Sequence, residues 1–325
     1  MKKRMFALLL ALMAIFALTA CTSKAPEKEE AVGGTPEIEE AVVEETTRVI
    51  TYLGESYEVP AKVERIVITG SMESMEDALV LAVNPVGAIS VGGEFPEMFA
   101  PVVGEAQSIG EKTQPDLEAI VKLEPDVILG SSKFPEETME KLKLIATTFP
   151  VSHISTNWGA NLELLGELTG KEKEAKEAIE AYNQKIEESK GKLAETVKDK
   201  TVVAIRIRQG NLFIYPEAVF FNPVLYTDLG IAVPAPVQLA KAQENISLEQ
   251  FTELNPDYIF VQFSLDENAD NPKALEDLEA NPIWSSITAV KEGKVFVNVV
   301  DPLAQGGTAW SKAAFLDAVV ESLTK

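Results

Sequence analysis

From Arg48 onward the chain alternates short apolar runs with amphipathic stretches. Arg48 to Val59 alternates apolar and polar residues about Gly54-Glu55, the pattern of a β-hairpin. Arg65-Ile-Val-Ile-Thr69 reads as a buried strand, followed by Gly70, Ser71 and a helix from about Ser74 to Ala82. The same reasoning places strands at 85–90, 126–129 and 150–154, and helices at 116–123 and 136–145. From 161 to 198 the chain is rich in Leu, Ala, Glu and Lys and has no Pro. Its apolar positions (Leu164, Leu165 and Leu168, then Ala175, Ala178, Ile179, Tyr182 and Ile186) recur three or four apart. This predicts a short helix and then a long one, broken at Gly170. Strands resume at 202–207, 212–215, 259–262 and 295–298. Strands alternating with helices imply a mainly parallel sheet covered on both faces.

One segment occurs twice. Leu117-Glu-Ala-Ile-Val-Lys-Leu-Glu-Pro-Asp126 matches Leu248-Glu-Gln-Phe-Thr-Glu-Leu-Asn-Pro-Asp257 at a constant offset, and each predicts a helix, a Pro-Asp turn and a strand. One copy in each half suggests an α/β protein of two lobes, each a central, mainly parallel sheet flanked by helices, joined by one long α-helix. The expected organisation is an N-terminal lobe over 48–157, linking helices over 158–199 and a C-terminal lobe over 200–325. Such a molecule suits capture of a solute between its lobes.

The N-terminus follows different rules. Lys2, Lys3 and Arg4 precede an apolar run from Phe6 to Ala20, shorter than the ~20 residues of a membrane-spanning helix. Residues 1–20 therefore read as a signal peptide. Leu18-Thr-Ala-Cys21 resembles a lipobox, which makes Cys21 the candidate lipidation site, the alternative being an ordinary secretory signal with a chance Cys. Residues 21–47 hold eight Glu and read as a disordered acidic tether.

Composition narrows the function. With 29 basic against 51 acidic residues, the net charge is -22, which argues against nucleic acid as a partner. A single Cys rules out an intrachain disulfide, and a single His rules out Cys/His zinc sites. A hydrolase would have to rest on His153 with Ser155, and no GxSxG accompanies them. P-loop and GxGxxG motifs are absent too. His153 otherwise reads as a structural His or a pocket-lining one. Asp266-Glu-Asn-Ala-Asp270 spaces oxygen ligands as calcium loops do, but the sixth position is Asn271 and the ninth Ala274, so a solvated loop is the better reading.

Ile205-Arg-Ile-Arg-Gln-Gly210 carries more information. Arg206 and Arg208 alternate, so both leave one face of a strand end, where parallel sheets open onto ligand crevices. Two such charges cost energy unless an anion sits between them. The alternative is a solvated edge paired with surface Glu. Lys112 and Lys241 lie in the loops ahead of the two repeats, places that can face one another across a cleft, although either alone is ordinary for a surface Lys.

The chain resembles the substrate-binding lipoproteins of ferric-siderophore ABC importers, the class III periplasmic-binding-protein fold. The stretches that carry the resemblance are Ile68–Asp77, Pro150–Ser155, Arg206–Asn211, Ala242–Glu244, Ile259–Phe263 and Asp301–Lys312. Within that family it is similar to the binders of bacillibactin- and enterobactin-type catecholates in Gram-positive bacteria. The resemblance implies a protein without catalysis that binds a ferric triscatecholate in the interlobe cleft. It implies a basic pocket of Lys112, Arg206, Arg208 and Lys241, with Gln209, Gln243 and Ser71 as polar contacts. Iron is then held by the siderophore alone, so no cofactor and no protein metal ligand are expected. The resemblance further implies lipid anchoring at the outer face of the cell membrane, a monomer, and delivery to an ABC permease with its ATPase. Glu118 and Glu249, at matched repeat positions, are the implied permease-docking residues, and both also suit the first turn of a helix. One departure is expected to matter: Gly93-Glu94-Phe-Pro96 carries Glu where the bacillibactin binder carries Lys in Gly-Lys-Phe-Pro. A ferric hydroxamate or other siderophore is the alternative ligand. A lipid-anchored hydrolase and an adhesive lipoprotein are the competing classes.

Overall fold

The computed structural model describes residues 46–324. The signal peptide, Cys21 and nearly all of the tether lie outside the described residues. In chain order the N-terminal half comprises β1 (Thr47–Tyr52), β2 (Glu55–Pro60), β3 (Ile66–Thr69), α1 (Met72–Leu81), β4 (Gly87–Ser90), α2 (Ala100–Val103), β5 (Gln107–Glu111), β6 (Gln114–Pro115), α3 (Leu117–Lys122), β7 (Val127–Ser131), α4 (Glu136–Lys143) and β8 (Thr147–Val151). Then come α5 (Trp158–Thr169) and α6 (Glu172–Leu193). The rest comprises β9 (Val202–Arg208), β10 (Asn211–Ile214), α7 (Ala235–Leu239), β11 (Glu244–Asn245), α8 (Leu248–Leu254), β12 (Tyr258–Phe263), α9 (Ala274–Glu279), α10 (Thr288–Lys291), β13 (Val295–Val297) and α11 (Ala309–Leu323).

The expected hairpin forms from β1 and β2. The first large sheet has the order β6-β5-β4-β3-β7-β8 and is parallel except at its β5–β6 edge. The second, β11-β10-β9-β12-β13, is mixed. Its β9–β12 and β12–β13 pairs are parallel, but a two-residue turn at Gln209-Gly210, both with positive φ, sends β10 back antiparallel to β9. The strand read at 150–154 lies earlier, at 147–151, and runs through Pro150. A Pro is tolerated there because β8 is an edge strand.

The two central strands of the second sheet, β9 and β12, are buried on both faces. Val202 and Ala204 of β9 and Tyr258 and Phe260 of β12 join one core, with Tyr182, Phe315 and Leu316. Val203, Ile205 and Ile207 of β9 and Ile259 and Val261 of β12 join another, with Phe251 and Trp284. Gly170 ends α5 in the left-handed conformation, as its place in the sequence predicts.

The linking helices serve both sheets. Leu162, Leu165 and Leu168 of α5 and Ala175 of α6 pack in the core of the first sheet, whereas Tyr182, Ile186 and Leu193 of α6 pack against the second. α11, which the sequence pattern did not reveal, does the same: Ala309 belongs to the first core, and Phe315, Leu316, Val319 and Leu323 to the second. It packs on α1 and α6, and apolar residues spread around its circumference, so no clean amphipathic stripe marks it. Among the described residues no helix is long and apolar enough to cross a membrane.

The repeat is structural as well. α3 leads into β7 and α8 into β12, with side-chain N-caps from Asp116 and Ser247. The Asp closing each repeat does one job in both halves. Asp126 accepts the backbone N–H of Glu64 and Arg65, 2.8 Å each, ahead of β3, and Asp257 accepts that of Thr201, 2.8 Å, ahead of β9. Each carboxylate thus ties its own strand to the neighbour it pairs with.

Candidate functional site

Parallel strands deliver their C-terminal ends to one edge of a sheet. In the second sheet β9 brings Arg206 and Arg208 to that edge. They continue the even-numbered series begun by Val202 and Ala204, so both side chains lie on the same face, as the alternation predicts. The Arg206 carbon Cζ sits 5.8 Å from the centre of the Phe220 ring. The end of β12 leads to a short 3₁₀ turn, Asp266–Asn268, which contributes Glu267. Glu267 accepts two hydrogen bonds from Arg206, Nε at 2.7 Å and Nη2 at 2.8 Å, and lies 3.3 Å from Nε of Arg208. Side-chain exposure falls from 38% at Arg208 to 18% at Glu267 and 9% at Arg206. The alternative of an Arg pair matched by Glu therefore holds in its partner, while burial of Arg206 removes the solvated edge. The Asp266–Asp270 segment, considered for calcium, serves this pair.

Gln243 is exposed. Its Oε1 accepts from Arg208 Nη1 at 2.7 Å and from the Tyr215 hydroxyl at 3.0 Å, and Arg206 also acts on that hydroxyl. Gln209 occupies the β9–β10 turn with its backbone N–H on the Glu267 carbonyl at 3.0 Å. Lys241 is exposed, and its backbone N–H donates to the Glu244 carboxylate.

The first sheet brings its own residues. Lys112 lies in the turn between β5 and β6, and its ammonium donates to Gln305 Oε1 at 3.2 Å. Burial lowers its pKa from 10.5 to about 8. Glu73 counters this; Lys133 and Arg206 add to it. A residue of the first sheet thus feels the charge of one in the second: the two strand-end clusters face each other. Lys133 follows β7, 3.6 Å from the buried Glu73. Ser71 is fully buried and caps α1, its Oγ accepting from Ser74 N–H at 3.1 Å. The same Oγ lies 2.9 Å from the Ser74 hydroxyl.

Glu94 is exposed in a turn with Gly92 and Gly93, where the Glu111 carboxylate gathers the glycine N–H groups at 3.2 and 2.8 Å. The charges acting most strongly on Lys112 do not include it. A separate Lys-Phe-Pro tripeptide occurs at Lys133-Phe134-Pro135, and its Lys is among the charges that act on Lys112. The hydrolytic pair does not form. Nδ1 of His153 lies 2.9 Å from Ser132 Oγ, whereas Ser155 is buried and turned to the Phe220 carbonyl. Burial and the charge of Lys133 lower the His153 pKa, favouring neutral imidazole. Glu118 and Glu249 are both exposed, each the second residue of its helix.

A family model, periplasmic binding protein, matches residues 36–298. The chain belongs to the periplasmic binding protein family. It is 53% identical over its full length, and the full length of the relative, to an iron-uptake system-binding protein of Bacillus subtilis. Among solved structures it is similar to the triscatecholate siderophore-binding protein FeuA of B. subtilis complexed with ferri-bacillibactin, with TM-score 0.83 and 57% identity over 85% of this chain and 98% of that one. It is also similar to Staphylococcus aureus SirA complexed with staphyloferrin B, with TM-score 0.72 and 26% identity over 85% and 98%. The fold is thus the two-lobed, class III form of the periplasmic binding protein family.

Three residues of this periplasmic binding protein's cleft escaped the sequence reading: Lys133, Tyr215 and Glu267. The Lys-Phe-Pro tripeptide would have pointed to the first. Nothing local marks the other two, because each is brought to Arg206 by the fold from another strand or loop.

Proposed function

We propose that the protein captures a ferric triscatecholate siderophore of the bacillibactin or enterobactin type between its lobes and delivers it to an ABC permease driven by its ATPase. In this reading it is a monomer at the outer face of the cell membrane, anchored by lipid on Cys21, and does no catalysis. One observation carries the ligand class: Lys112, Lys133, Arg206 and Arg208 converge in a molecule whose net charge is -22. A local basic cluster against an acidic background selects an anion. Guanidinium and ammonium groups donate to catecholate oxygens, and guanidinium also stacks on the rings. Gln243, bonded to Arg208, Gln209, next after Arg208, and Lys241, two residues before Gln243, complete the proposed contacts. Glu118 and Glu249 are the proposed permease contacts, one on each lobe, setting orientation and encounter rate. The similarity to FeuA supports the same ligand class.

Titration of intrinsic tryptophan fluorescence with ferric bacillibactin, ferric enterobactin and a ferric hydroxamate tests this. Saturable quenching by the two catecholates alone is expected. A preference for the hydroxamate, or silence with all three, overturns the assignment.

A further inference from the structure

Two guanidinium groups on one face of a strand need an anion, and in this cleft the chain supplies its own. Glu267 receives Arg206 on two hydrogen bonds, 2.7 and 2.8 Å, and Arg208 at 3.3 Å. This carboxylate is built in. The Glu267 carbonyl accepts the Gln209 N–H at 3.0 Å. Next to it, Asn268 is buried, accepts the Gly210 N–H at 3.0 Å and donates to the carbonyls of Ile207 at 2.9 Å and Ser264 at 2.7 Å. The turn bearing Glu267 is thereby fastened to the strand end bearing the arginines. On the other side Gln243 Oε1 accepts from both Arg208 and the Tyr215 hydroxyl, at 2.7 and 3.0 Å.

We propose that Glu267 is a positioning residue for ligand binding, fixing the Arg206 and Arg208 guanidinium groups in their binding geometry at the cost of one unit of positive charge. The inference rests on the anionic ligand of the preceding subsection. A mere counter-charge and a positioning residue differ in the sign of their effect. If Glu267 only neutralised the cleft, removing its charge would tighten binding of a polyanion. If it positions, removal loosens two long side chains whose ordering the ligand must then supply.

The test compares the unaltered protein with Glu267→Gln and Glu267→Asp, using ferric bacillibactin and fluorescence quenching across a range of salt concentrations. Both variants should bind ~10- to 100-fold more weakly, the loss of one or two charge-assisted hydrogen bonds. Glu267→Asp should do so although its charge is unchanged, because the shorter side chain cannot span both arginines. Only Glu267→Gln should make binding more sensitive to salt, because only it changes the charge facing the polyanion, a readout that general destabilisation does not move. Thermal melts verify that each variant is folded; if Glu267→Gln is not, Glu267→Asp decides. Equal or tighter binding by Glu267→Gln, or full affinity in Glu267→Asp, overturns the inference. Absence of quenching in the unaltered protein overturns the proposed function, and this inference with it.

Discussion

Burial and two neighbouring cations hold Lys112 at a pKa of about 8, so a small rise in pH above neutrality discharges it. A trianion binds its charged form. Affinity for ferric bacillibactin should therefore fall as pH rises from 7 to 9.5, and Lys112→Gln should bind more weakly but with a flatter profile over that range. Parallel profiles for the two proteins would exclude Lys112 from the ligand. At this scale the sequence was informative where local spacing sets direction. Alternation alone put Arg206 and Arg208 on one face. It could not show Glu267, which lies 61 residues from Arg206 along the chain, or the burial that shifts Lys112, because both depend on packing between distant segments. Ser71, a short polar residue beside a strand end, is buried and caps α1, a role that spacing alone does not separate from a ligand contact.

Among elements, the β5–β6 hairpin leaves little room for an added side chain. Gly110 has φ +95, and a Cβ there would stand 2.5 Å from the Gln114 carbonyl oxygen and 2.8 Å from the Asp116 nitrogen, both backbone atoms that cannot yield cheaply. Gly110→Ala should cost about 2–4 kcal/mol in denaturant unfolding and weaken ligand binding, since Lys112 rides on the same turn. Gly104→Ala is the matched control: Gly104 has open space around its missing Cβ and a helical φ of -57, and the substitution should be nearly neutral. A Gly110→Ala protein as stable as the control would refute the steric argument. The elements themselves were largely legible, since their apolar periods are strong and the repeat fixed two helix-turn-strand units independently. What failed was strand direction after Arg208 and the start of β8, both decided by pairing partners rather than by local pattern.

For the whole molecule, the junction between the halves is polar as well as apolar. Glu76 and Asp77 of α1 are fully buried. Glu76 accepts the Gln305 N–H at 2.7 Å, the Thr308 hydroxyl at 2.5 Å and the Ser311 hydroxyl, and Asp77 takes the Ala309 N–H. Burial outweighs these donors. It raises the Glu76 pKa from 4.5 to about 7 and the Asp77 pKa well above its usual range. An acid whose pKa is raised by folding stabilises the fold when protonated. Its contribution is fully present below pH 4.5 and is lost as pH rises through about 7. Unfolding free energy should fall between pH 5 and 8, with up to about 3 kcal/mol of the fall removed by Glu76→Gln. An identical fall in the variant would assign the effect to other carboxylates. This junction was invisible in the sequence because α11 lacked a clear stripe.

The donors to Glu76 lie 229 to 235 residues downstream of it. As the chain emerges N-terminus first, α1 is therefore available long before the segment that receives its carboxylates. Until residues 305–311 emerge, burying α1 would leave Glu76 and Asp77 without those donors, a cost of several kcal/mol. The nascent first half should stay accessible to protease until synthesis is nearly complete, and a chain arrested before residue 305 should be cut within α1. Release of the last helix, rather than completion of the first sheet, should be the step that commits the chain to its fold.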